Sequence, residues 1–270
     1  MNNEDILNEM KECQQQTHQW GRENQVTFDE AKEEFVVLHR SSGSGSEFRL
    51  LGPWVDNKLL MHTAVNKIMA KARPKIKALL RTAPYYNAVS MVNQFKTHVL
   101  PILESATGAI YHAAASTKLP MERAQTSFLS ALSLSPEEAF LEMRYNLAPL
   151  TLRSDIAMLG VLHKCARGVA HPAFLRLFPL APSERPHSHE RRWQNQKHSH
   201  QLVERCQGHH SEILARSMFG VVRSYNRLPQ HIVDNKDVSK FQSALTEAAR
   251  KQCRDNSRNW STMYSPSTCY

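Results

Sequence analysis

Eight basic residues and no acid lie between Asn57 and Leu103: Lys58, Lys67, Lys71, Arg73, Lys75, Lys77, Arg81 and Lys96. Ammonium and guanidinium groups gathered without counter-charges attract polyanions, phosphate backbones above all. Residues 1–56 hold eleven acids against five bases, so the positive excess behind the formal charge of +9 is segregated along the 270-residue chain. The plainer reading of the basic run is a solvated helical face, neutralised in part by the acidic residues before it.

Six of the fourteen His fall between positions 187 and 210 (His187, His189, His198, His200, His209, His210), with Cys206 among them. Imidazoles and a thiol at this density can ligate zinc, but a structural finger supplies two cysteines at C-x-x-C spacing. The five Cys stand at 13, 165, 206, 253 and 269, with no such pair. The segment therefore reads as an exposed His-rich linker, and no metal site is assigned. Trp193 beside Arg191 and Arg192 offers a weak base-stacking signal. A G-x-S-x-G elbow, a Gly-rich phosphate loop and an H-E-x-x-H motif are all missing, which leaves hydrolase and nucleotide-binding chemistry unsupported.

The elements that would position these groups follow from periodicity. Ile6, Leu7, Met10 and Cys13 mark an opening amphipathic helix that Gly21 would stop. Short β-like runs at 26–28, 35–38 and 48–51 surround the flexible SSGSGS of 41–46. From about residue 57 the pattern turns helical: one helix kinked or split at Pro74, a long one over 86–115 interrupted at Pro101, then helices at 121–132, 136–146 and 151–167. Residues 179–197 lack periodicity, 213–225 mix apolar and basic residues, 238–249 are helical with Asp237 as a cap, and the last fifteen or so are expected to fray. The expected fold is mainly α, with a small α+β portion at 1–56, a helical domain at 57–178, a linker at 179–211, a C-terminal segment at 212–252 and a disordered tail at 253–270. The acidic start MNNEDILNEMK carries no secretory signal, and no apolar run reaches the ~18 residues of a membrane helix. An intracellular location, nuclear or cytoplasmic, with free thiols and no membrane partner is expected.

Longer strings carry a more specific signal. HQWGRENQVTFDEAKEEFVVLHR, FRLLGPWVD at 48–56, RTAPYYNAVSMVNQFKTHVLPILESATGAIYHA at 81–113, YNLAPLTLRSDIAMLGVLHK at 145–164 and RSMFGVVRSYNRLPQHIVDNKDVSKFQ at 216–242 resemble a non-LTR retrotransposon reverse transcriptase. The resemblance is to the part that follows its catalytic turn, and it runs from Trp20 to about Leu245.

The resemblance implies a palm remnant, a helical thumb and a C-terminal segment. Lys32 in FDEAKEEF matches the lysine-bearing turn called motif D, and Leu51-Gly52 match the primer grip, motif E. The acid-free block falls on the thumb, which in that family holds template-primer duplex by its backbone. Lys67, Lys71, Arg73, Lys75, Lys77, Arg81 and Lys96 become the expected phosphate contacts, with RNA or DNA template-primer as partner. Lys32 is expected to be a solvated loop lysine, and Leu51 and Gly52 to shape a turn.

The intact family uses Mg2+ held by an early Asp and an adjacent Asp-Asp pair. The seven Asp of this chain, at 5, 29, 56, 155, 234, 237 and 255, contain no adjacent pair. No catalytic residue, no cofactor and no polymerase activity are expected of this chain alone. Expected alternatives are an inert or protein-binding helical remnant of a decayed element, and a partial product of a longer, active gene. An uncovered palm remnant would favour self-association through unpaired strand edges.

Overall fold

Apolar residues at three- and four-residue spacing dominate after residue 57, and the computed structural model of the chain is accordingly mainly helical, with one small antiparallel sheet in the N-terminal region. The structure describes residues 3–29, 32–33, 35–38, 47–50, 52–182, 198–206 and 212–266. It divides into two units, Met1–Lys67 and Ile68–Tyr270.

In the first unit, α1 (Asn3–Glu23) carries Glu4 and Asp5 in its first turn and Arg22 in its last, an arrangement that suits the helix dipole. The Val26 amide donates to the Gly21 carbonyl at 2.8 Å and turns the chain back. Phe28 then stacks on His18, with ring centroids 5.4 Å apart. Among the described residues no strand forms at 26–28, and the one expected at 35–38 is reduced to a single bridge residue, Val37. Phe28 packs on α1 instead of joining a sheet. Strand β1 (Phe48–Arg49) pairs with β2 (Trp54–Val55), Phe48 opposite Val55 and Arg49 opposite Trp54. The sequence reading ran one strand through 48–51 and passed over β2. Gly52, at φ +126°, makes the turn between them, a region that side chains disfavour. Among the described residues the sheet of this region is this pair of two-residue strands. The flexible run 41–46 and Leu51 lie outside the described residues.

Helix α2 (His62–Thr82) contains Pro74 yet is neither split nor ended there. Ala72 and Ile76, on either side of the proline, are buried and keep one face of the helix anchored through it. The long helix expected over 86–115 is instead a series of short pieces: a 3-10 turn at Ala83–Tyr85, α3 (Ala88–His98), α4 (Leu100–Glu104) and α5 (Thr107–Ile110). Pro101, placed in the first turn of α4, accounts for the break after α3.

Helix α6 (Ala115–Ala131) follows, then α7 (Pro136–Leu141), started by a reciprocal capping box between Ser135 and Glu138. Helix α8 (Leu150–Ala166) is the central element of the second unit and buries Leu152, Leu159 and Leu162 completely. Helix α9 (Pro172–Leu177) leads to an isolated bridge between Leu180 and Leu202. Then come α10 (Glu212–Arg216), α11 (Met218–Asn226), α12 (Gln230–Val233) and α13 (Val238–Arg254), the last capped as expected by Asp237, which accepts from the Ser239 amide at 2.7 Å.

One apolar core joins α8, α11 and α13, so residues 212–252 are not a segment apart from the helical domain. The tail is not frayed where it is described. Trp260 stacks on Phe140 at 5.2 Å, and the Tyr264 hydroxyl donates to the Leu245 carbonyl at 3.0 Å. These two aromatic side chains, with Met263 packed against the same core, bury enough area to order an otherwise polar stretch.

Candidate nucleic-acid interface

Helix α2 contains no acid, and its cations occupy the face opposite Ala72 and Ile76. Arg73, Lys77 and Arg81 recur every four residues and form one row, about 6 Å per step, while Lys71 and Lys75 flank the solvent-facing half of the helix on its other side, with Pro74 and Ala78 between the two rows. All five are exposed, and among the described residues none makes an ion pair or a side-chain hydrogen bond. Long aliphatic stems carry these charges out from the helix into water. The arrangement is a strip of unneutralised positive charge about 15 Å long, suited to contacts with phosphate oxygens.

The other expected contacts are placed differently. Lys67 belongs to the first unit, where its ammonium lies 3.7 Å from the centre of the Trp54 ring. A cation over an aromatic face gains electrostatic attraction there and is held in place. Lys96, on α3, is half-buried and donates from Nζ to the Tyr145 carbonyl at 3.1 Å. It fastens α3 to the chain before α8 and, unlike the cations of α2, does not extend freely into solvent.

Lys32 Nζ pairs with Asp29 Oδ2 at 2.9 Å and is strongly exposed, as a solvated loop lysine should be. Gly52 shapes the β1–β2 turn; its expected companion Leu51 lies outside the described residues.

Sequence reasoning passed over Tyr85 and Tyr86, which follow Arg81 directly after the end of α2. They are 83% and 54% exposed. The available signal was the pair of adjacent aromatics itself, set beside a basic helix and behind a proline.

The His-rich segment is only partly the exposed linker expected. His198 is buried and its Nε2 donates to the Tyr225 carbonyl at 3.0 Å. His200 Nε2 accepts from Arg167 at 3.1 Å, and Leu202 is buried in the core. His187, His189, Arg191, Arg192, Trp193, His209 and His210 lie outside the described residues. Among the described residues no group of three or more His, Cys, Asp or Glu is placed to hold a metal ion.

One carboxylate is deeply buried. Asp155 on α8 accepts the Tyr111 hydroxyl at 2.6 Å through one oxygen and the Ser265 hydroxyl through the other. Burial raises its pKa to about 6, against the opposing pull of those two hydrogen bonds. Lys118 faces the same polar pocket, donating to the Tyr111 carbonyl at 3.0 Å, and its pKa is lowered by burial. The adjoining cavity, lined by Leu103, Met121 and Leu150 besides these polar groups, is about 40 Å³. That is room for about one water.

A second buried polar pair braces α8. His163 Nε2 lies 2.7 Å from the Asn235 carbonyl, which can only accept, so Nε2 carries the proton and Nδ1 accepts the Tyr225 hydroxyl at 3.1 Å. Burial lowers the pKa of this imidazole and favours its neutral form.

No protein family, curated protein or solved structure matches this chain.

Proposed function

We propose that this chain binds the sugar-phosphate backbone of nucleic acid through α2, as the thumb of a reverse-transcriptase-like protein of a mobile element, and does not itself polymerise. The observation that carries the reading is the acid-free solvent face of α2, with Lys71, Arg73, Lys75, Lys77 and Arg81 exposed and unpaired among the described residues. Lys67 extends the strip in the sequence but is engaged by Trp54. The reverse-transcriptase part rests on the strings at 81–113, 145–164 and 216–242.

Among the described residues the Asp side chains do not assemble the donor set of a two-metal polymerase site. Asp155 has both oxygens occupied by hydroxyls, Asp237 caps α13, Asp56 accepts the amides of Leu60 and Met61, and Asp29 pairs with Lys32. A two-metal site needs convergent carboxylates, and these are spread over separate elements.

Binding to an RNA-DNA duplex as a function of salt tests the proposal. Affinity should fall steeply, with a log-log slope of about −0.9 for each phosphate neutralised on duplex. Replacing Arg73, Lys77 and Arg81 together by Gln should flatten that slope by about 2 to 3. Negligible binding at low salt by the folded chain would overturn the reading in favour of an inert or protein-binding remnant. Incorporation of nucleotides on a primed template by the purified chain would overturn its non-catalytic part.

A further inference from the structure

Two groups of tyrosines stand out among the described residues. Tyr111, Tyr225 and Tyr264 are buried, and the hydroxyl of each has a hydrogen-bonding partner. Tyr85 and Tyr86 present their rings to solvent, and among the described residues neither hydroxyl has a hydrogen-bonding partner. Neither belongs to the buried core, although each ring is a large apolar surface whose exposure is unfavourable.

Their position is fixed by the backbone. Pro84 sits in the 3-10 turn Ala83–Tyr85, and the Tyr86 amide donates to the Ala83 carbonyl at 3.3 Å. On the far side Asn87 caps α3, its side chain accepting the Ser90 amide at 2.8 Å. The pair is therefore held between two helix ends. Tyr85 and Tyr86 lie just past the C-terminal end of α2 at Thr82, in and after the 3-10 turn, so the aromatic surface follows the row of Arg73, Lys77 and Arg81 along the chain.

A strand whose phosphates lie along that row would bring its bases to the two rings. Paired bases are stacked inside a duplex and cannot reach them, whereas unpaired bases can. We infer that Tyr85 and Tyr86 are a base-stacking platform for unpaired nucleotides of RNA or DNA, giving α2 a grip on single strands that it lacks on blunt duplex. This inference rests on the proposed backbone binding by α2 and adds to it the kind of nucleic acid preferred.

The test uses the full chain at one low salt concentration, with fluorescent oligo(dT), oligo(U) and a blunt duplex of equal length as probes. Replacing both tyrosines by Ala should weaken single-strand binding about tenfold or more, while binding to blunt duplex changes less than about twofold. Replacing both by Phe should restore single-strand affinity, because the ring and not the hydroxyl stacks. Equal weakening on both probes, or no weakening on either, overturns the platform. Wild-type binding to blunt duplex alone overturns it too and leaves the backbone reading standing. Wild-type binding to neither probe removes both.

Discussion

Lys96 Nζ donates to the Tyr145 carbonyl across 49 residues of chain, at 3.1 Å. That bond separates one cation from the strip it belongs to in the sequence. A half-buried ammonium that satisfies a backbone carbonyl serves the fold first. The expected outcome of Lys96→Met is a loss of about 1–3 kcal/mol in stability, with the salt dependence of nucleic-acid binding unchanged. Urea denaturation and a salt titration on the same sample check both halves. A flattened salt slope with unaltered stability would return Lys96 to the binding surface.

The pH dependence of stability should carry the signature of Asp155. Its pKa in the fold is about 6, above the 3.8 it would have unperturbed. Between those values the folded chain binds more protons than the unfolded chain, so this group's contribution is full below about pH 4. It is lost as pH rises through about 6, and amounts to about 3 kcal/mol. His163 works in the opposite sense: with its pKa lowered by burial, its contribution is present above pH 6.5 and is lost on acidification. Asp155→Asn keeps the shape and can still accept from Tyr111. The expected outcome is a smaller fall in stability between pH 4 and 6 than in the wild type, measured by denaturant melts across that range. An unchanged profile would mean that Asp155 is not held as described.

Trp260 should behave as a core residue although it lies in a polar stretch. Stacked on Phe140 and 8% exposed, it is expected to cost about 3–5 kcal/mol on replacement by Ala. Ending the chain after Arg254 should be worse still, since it removes Tyr264 and Ser265 as well. Thermal melts of the two variants decide whether the tail is dispensable.

Gly220 on α11 admits no side chain. A Cβ there would fall on the carbonyl of Ala215, which belongs to α10. Gly220→Ala should destabilise the second unit by about 1–3 kcal/mol, while Gly108→Ala, where the added atom meets nothing within 4 Å, should not. Circular dichroism melts of the two variants give the comparison.

Helix content was legible because it depends on local spacing. The three- and four-residue recurrence around α2, α6, α8 and α13 and the caps at Ser135 and Asp237 are properties of neighbouring residues. What escaped depends on distant partners. Phe28 reads as a strand residue until His18 is known to lie beside it, and the strand read at 48–51 has no visible partner until the turn at Gly52 and Pro53 brings Trp54 and Val55 back against it. The tail reads as frayed because nothing near Trp260 announces Phe140, 120 positions earlier. In the candidate site, the charge of α2 was plain, since an acid-free run needs no partner to be seen. Lys96 and Lys67 could not be told from their neighbours, because Tyr145 and Trp54 give no local sign of engaging them.

Asp155 and Ser265 are hydrogen-bonded across 110 residues of chain. A ribosome adding about 5–20 residues per second needs roughly 5–20 s to travel from one to the other. Through that interval α8 has been made but lacks the Ser265 hydroxyl that completes its buried carboxylate, and it lacks the aromatic side chains of Trp260 and Tyr264 that close the core around it. The nascent chain therefore carries an unfinished apolar helix for seconds, a vulnerability to aggregation and to chaperone capture that the finished fold conceals.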